Sequence, residues 1–230
     1  MKQQIAKILL LFALLLLPLT GWSQKRIYTR SVQIQDFKSK TTKVVLGQSP
    51  EFDEALRAEL TSLWSASPYE FCTRKDYEKQ KNSSDCYFLH TETEKGIIYL
   101  TLSRGGKKDA GDALSLPVTV LSMPIAGAND TSGSCLTYLP AYIILVQDFV
   151  EKAVNSEYVA YTGLKAIREK KPKGVKVYTD PAEALEAFDS QYVDAAAQIV
   201  ITPDGNPKSK PRFRMIIDTS SYALYHYGKN

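Results

Sequence analysis

Phe52, Leu56, Leu60 and Leu63 recur at intervals of four, four and three, which puts them on one face of a helix. Ser49-Pro50 stands just before them as an N-cap followed by proline at the first helical position. The pattern therefore predicts a helix from Pro50 to about Trp64. Thr73 to Asp76 has the form of a capping box and opens a brief helix to about Lys81. Asp180-Pro181 with Glu183 is a third such start, and Ala184, Leu185 and Phe188 supply its apolar side. The segment Leu139 to Val154 is the most apolar outside the N-terminus. Its few polar interruptions and Pro140 near its start predict a largely buried helix, with a central strand at Tyr142–Val146 as the alternative.

Strand patterns lie between these helices. Lys43–Gly47 is β-branched and leads straight into the Ser49 helix, and Pro68–Cys72 is a short strand. Cys86–Thr91 and Ile97–Ser103 read as a hairpin turning near Glu94-Lys95-Gly96. Leu116–Ser122 carries Pro117, which belongs at a sheet edge or a strand start. Val175–Tyr178 leads into the Asp180 helix. Gln198–Thr202 and Arg212–Asp218 form a second hairpin, with Tyr222–Tyr227 as a last strand and Ile27–Phe37 as a further edge. Two strand-to-helix units beside two hairpins predict an α/β fold: a mixed sheet with packed helices in layers.

The first 23 residues read differently. Lys2 and Lys7 give a positive start, Ile8–Leu17 is an unbroken apolar run closed by Pro18, and Gly21-Trp22-Ser23 offers small residues before Gln24. This is the form of a cleaved signal peptide, and the run falls short of the roughly 20 apolar residues of a membrane span. No cysteine adjoins the cleavage point to take a lipid. The expectation is an exported, periplasmic or extracellular protein with no stable membrane span after cleavage. Removing 23 of 230 residues leaves 207, one α/β domain over 24–230 or two halves joined near 169–174, where Glu169–Lys173 is basic.

Composition narrows the partners. The net charge is +4, of which Lys2 and Lys7 supply two, so the mature chain is near neutral and nucleic acid is not the expected partner. An envelope protein or a glycan fits better. The three cysteines are Cys72, Cys86 and Cys135. An exported chain can form disulfides, and Cys72 and Cys86, flanking one short segment, are the expected pair. Three small buried thiols are the alternative. Nothing in the cysteine and histidine spacing suggests a metal, and no cofactor motif is present, so none of either is expected.

Catalytic candidates are few. His90 and His226 are the only histidines, and either has the chemistry of a general base. His226 would share a strand face with Tyr222 and Leu224. The loop Pro124–Cys135 is small, polar and glycine-bearing, and it runs into the apolar helix. A helix N-terminus there would lower the pKa of Cys135 and activate it, with Ser134 as the neighbouring nucleophile. It lacks the Gly-Lys-Ser/Thr ending of a phosphate loop and the GxSxG elbow of a hydrolase.

Binding candidates come from the 14 tyrosines, since a ring with a polar tip suits sugars and peptides. Tyr222, Tyr225 and Tyr227 crowd the chain end. Arg212 and Arg214 should face solvent, with Phe213, Met215 and Ile217 facing the core.

Leu63-Trp64 with Pro68-Tyr-Glu-Phe71 and Asp76-Tyr77-Glu78, and the closing Arg214-Met-Ile-Ile-Asp218 with Tyr222-Ala-Leu-Tyr225, give the chain a style that resembles the exported uncharacterised proteins of Bacteroidetes bacteria. The resemblance covers about a fifth of the chain. It implies export and an α/β fold, and it assigns no functional residue. The expected function is a non-enzymatic binding or envelope-associated module. The alternatives are a hydrolase or transferase using the 124–135 loop, and an assembly subunit pairing through a sheet edge.

Overall fold

The computed structural model describes residues 28–29, 34–106, 117–160, 173–206, 209–210 and 212–229. Residues 1–23, read above as a signal peptide, and most of the basic stretch Glu169–Lys173 lie outside the described residues. Among the described residues, ten strands form two mixed sheets. A six-stranded sheet has the order β1-β6-β5-β4-β2-β3, and a four-stranded sheet the order β10-β9-β8-β7. The first comprises β1 (Tyr28–Thr29), β2 (Thr41–Leu46), β3 (Tyr69–Thr73), β4 (Cys86–Glu94), β5 (Ile97–Arg104) and β6 (Val118–Gly127). The second comprises β7 (Lys176–Tyr178), β8 (Ala195–Ile201), β9 (Phe213–Asp218) and β10 (Leu224–Lys229). Among the described residues lie helices α1 (Pro50–Leu63), α2 (Arg74–Gln80), the single turn α3 (Ser134–Thr137), α4 (Leu139–Asn155) and α5 (Pro181–Asp189), besides a 3-10 turn at Phe37–Ser39.

The helix starts follow their capping chemistry. Ser49 Oγ accepts the Phe52 amide at 3.2 Å, and Asp180 Oδ1 accepts those of Ala182 and Glu183. Thr73 and Asp76 form the reciprocal capping box. Each satisfies donors that a helix end leaves free. Phe52, Leu56 and Leu60 are buried as their spacing requires. Leu139–Asn155 is a helix, with Tyr142, Ile143 and Val146 fully buried. The β4–β5 hairpin turns on Lys95 and Gly96, both at positive φ (51° and 76°), the backbone that a two-residue hairpin demands and that glycine adopts without strain.

Strand β2 pairs parallel to both β3 and β4, and β7 pairs parallel to β8. These are the two strand–helix–strand units, β2-α1-β3 and β7-α5-β8. One apolar cluster takes side chains from α1, α4, α5 and both sheets, including Tyr87, Leu100, Met123, Ile199, Met215 and Ile217. The sheets meet where three strand ends converge. The Asn129 amide donates to Pro203 O at 2.9 Å and the Ala128 amide to Gly96 O at 2.8 Å. A Cβ at Gly127 would stand 1.9 Å from Thr202 O, so only glycine allows this approach.

Cys72, Cys86 and Cys135 are all free, which corrects the expected Cys72–Cys86 bridge. Strand β2 runs between the two, with Cys72 opposite Val45 and Cys86 opposite Thr41. Two strand spacings already come to about 9.6 Å, past the roughly 7 Å that a disulfide tolerates between Cα atoms. The two cysteines flank a short segment in sequence, but the parallel crossover places a strand between them. Alkylation of the unfolded, unreduced protein should therefore modify three thiols; a mass showing one modified thiol and a bridge would contradict this pairing of strands.

Two further expectations change. Strand β6 extends to Gly127, so residues 124–127 belong to the sheet and the loop is shorter than expected. In β10 the pairing shifts between Leu224 and His226. The extra residue, Tyr225, flips the alternation. Tyr227 rather than His226 then follows Leu224 into the core, and its ring stacks on Phe213 at 6.1 Å. Phe213, Met215 and Ile217 are buried as expected, while Arg212 and Arg214 are half-buried rather than solvated.

Candidate functional site

The catalytic candidates are dispersed. Cys135 sits in α3, where burial pushes its thiol up and Asp130 adds to the effect. This reverses the activation expected from a helix start, because α3 is one turn and carries little dipole. Ser134 Oγ accepts a hydrogen bond from Ser132 Oγ at 2.9 Å, with no base in that pair. His226 is half-buried on β10, in the other sheet from His90.

His90 has partners that no motif announced. Its Nε2 lies 3.2 Å from Ser103 Oγ on β5, and its Nδ1 lies 3.7 Å from Glu92 Oε1 on β4. Hydroxyl, imidazole and carboxylate stand in the order of an acyl-transfer triad. Attack requires a substrate carbonyl at the hydroxyl, however, and Ser103 and His90 are 2% and 1% exposed. Burial, with the nearby Arg74 charge, lowers the His90 pKa to about 4, so the ring is neutral at pH 7. The constellation, as folded, is a closed polar layer beneath α2. Among the described residues, no group of three or more His, Cys, Asp or Glu side chains is arranged to hold a metal.

The open chemistry lies at one end of the four-stranded sheet. There the α5–β8 loop meets the β9–β10 turn and β7. Tyr192 and Val193 project from the loop at 38% and 79% exposure. The Tyr192 ring packs 5.9 Å from that of Tyr178, with Lys176 Nζ 4.1 Å from the Tyr178 ring centre. Gln191 Nε2 donates to Tyr222 Oη at 3.1 Å, and the Tyr222 ring stacks on Phe188. Gln191, Asp194 and Tyr222 all have φ between 50° and 58°, a backbone state that costs non-glycine residues energy and persists only where the surroundings enforce it. The enforcement is visible. Thr219 Oγ1 donates to Tyr192 O. Asp218 Oδ1 accepts the amides of Ser220 and Ser221 at 3.0 and 2.7 Å, and Oδ2 accepts Tyr225 Oη at 2.7 Å. These bonds, working against its burial, hold the Asp218 carboxyl at about 2, and the same pairing pushes the Tyr225 phenol up to about 12.

Of the expected binding residues, Tyr222 belongs to this surface and Tyr225 adjoins it. Tyr227 is core, and Arg212 and Arg214 lie at the other end of β9. Tyr178, Tyr192 and Val193 were not foreseen. An apolar pair inside Gln191-Tyr-Val-Asp194, between a helix end and a strand start, was the available signal. No family model, curated protein or solved structure matches the chain. Among the described residues no helix is long and apolar enough to cross a membrane.

Proposed function

We propose that the chain is an exported protein of the Bacteroidetes type, cleaved after Ser23, that acts without catalysis as an envelope-associated binding module. Its ligand surface is the tyrosine-bearing end of the four-stranded sheet, and its ligand is a glycan. The observation that carries this reading is the rigidly held, exposed Tyr192-Val193 pair beside Tyr178 and Tyr222. Rings with adjacent amide and ammonium donors offer a sugar both an apolar face and hydrogen bonds. Single exposed apolar residues are ordinary on any protein; an exposed pair fixed in place beside two further rings is not.

Intact mass of protein recovered from the envelope fraction should begin at Gln24, and an intact Met1 terminus would contradict export with cleavage. The mature chain should co-sediment with purified peptidoglycan sacculi, and Tyr192→Ser with Val193→Ser should raise the dissociation constant from a sedimentation titration about tenfold, the change that about 1.4 kcal/mol produces. Equal sedimentation of both proteins, or none of either, counts against the glycan reading.

A further inference from the structure

We propose that helix α2 is a proton-sensitive flap, held on the outer face of the six-stranded sheet by one tyrosine ring resting on His90 and released when His90 is protonated. The helix has seven residues, and Tyr77 is its one buried side chain. That ring meets Phe88 at 5.1 Å and lies over His90 at 4.9 Å. Around that ring Val45 and Cys86 complete a small buried cluster with Cys72 packed against it, and Arg74 donates to Thr91 O at 3.4 Å. A short segment with so small an anchor opens more readily than the fold around it.

The anchor is titratable. His90 Nδ1 is buried with no well-formed hydrogen bond, and the Thr91 backbone and Glu78, which favour a second ring proton, are outweighed by burial and Arg74. From α2 it is faced by Arg74, Tyr77 and Glu78, from β4 by Glu92, and from β5 by Ser103. Glu78 is engaged by Lys81 at 2.6 Å and Arg74 at 3.8 Å. Further along the same face Lys43 pairs with Glu70 at 2.5 Å, and Cys86 joins Tyr77 and Phe88 in a small apolar cluster. Glu92 is half-exposed and too distant to hydrogen-bond Nδ1, and Glu78, which favours the charged ring, does so less than burial and Arg74 oppose it. Under the closed helix the proton is disfavoured by burial and by Arg74. With the helix lifted, the ring regains water and its ordinary affinity. Proton uptake from solvent therefore pulls the helix open, and opening uncovers Cys86, Ser103 and His90.

Hydrogen exchange of amides 74–80 in the mature protein, corrected for the intrinsic pH dependence of exchange, tests this directly. Between about pH 7 and about pH 5 the opening equilibrium should rise about 20-fold, the factor expected when His90 moves from a pKa of about 4 to 6.5 on opening. Labelling of Cys86 by a disulfide reagent, referenced to unfolded protein, should rise in parallel. Tyr77→Ala should open the segment at both pH values. His90→Gln should flatten the pH response whatever it does to overall stability, and Glu92→Gln should leave a response. Unchanged protection across the range would overturn the proposal, as would a full response retained in His90→Gln.

Discussion

Acidification from about pH 7 to about pH 4.5 should cost the whole fold about 2–3 kcal/mol through His90 alone. The sign follows from the lowered pKa. Folded His90 takes its proton only at about 4, against 6.5 for the free side chain. Between those values the unfolded chain binds more protons than the native one, and stability falls as pH falls. Above about 6.5 the contribution is complete, and below about 4 it is spent. Urea unfolding at a series of pH values reads the slope. Whatever its stability at pH 7, His90→Gln should remove the slope between 6.5 and 4. A slope surviving in that variant would mean that another group titrates there. Asp218 is separable, because its lowered carboxyl titrates from 3.8 down to about 2, below the His90 window.

Met215→Ala should destabilise by about 2–5 kcal/mol. Met215 is fully buried on β9, opposite Ile199 on one side and Tyr227 on the other. It belongs to the cluster that joins the two sheets, so the cavity left by truncation falls where neither sheet can close in alone. Arg212→Ala, half-buried just before the same strand, should cost less than Met215→Ala, because it opens no cavity in the shared core. The midpoints of denaturant unfolding give both values. A neutral Met215→Ala would mean that the sheets do not share this core.

The elements of the fold were legible because their signals are local. Ser49-Pro50, Thr73–Asp76 and Asp180-Pro181 each cap a helix that the structure contains. The alternation Phe213, Met215, Ile217 fixed the core face of β9 correctly. Pairing was less legible. The Cys72–Cys86 bridge failed because sequence separation does not reveal that β2 threads between β3 and β4. The face of His226 failed because one bulge residue, Tyr225, reverses everything after it. Ser103 comes to His90 diagonally across two strands, a relation set by hairpin register and invisible to motif spacing. The Tyr178–Tyr192 surface depends on where a loop and a strand end meet, and that too is tertiary.

Titration of isotope-labelled protein spanning residues 24–230 with soluble peptidoglycan fragments, followed by amide chemical shifts, tests the proposed binding surface most directly. The account predicts shifts that saturate and that concentrate at residues 176–178, 190–194 and 219–225, with His90, Ser103 and the 128–135 loop unmoved. Saturable shifts centred on the Arg212–Arg214 end of β9, or on the 128–135 loop, would contradict it, as would a spectrum that does not change.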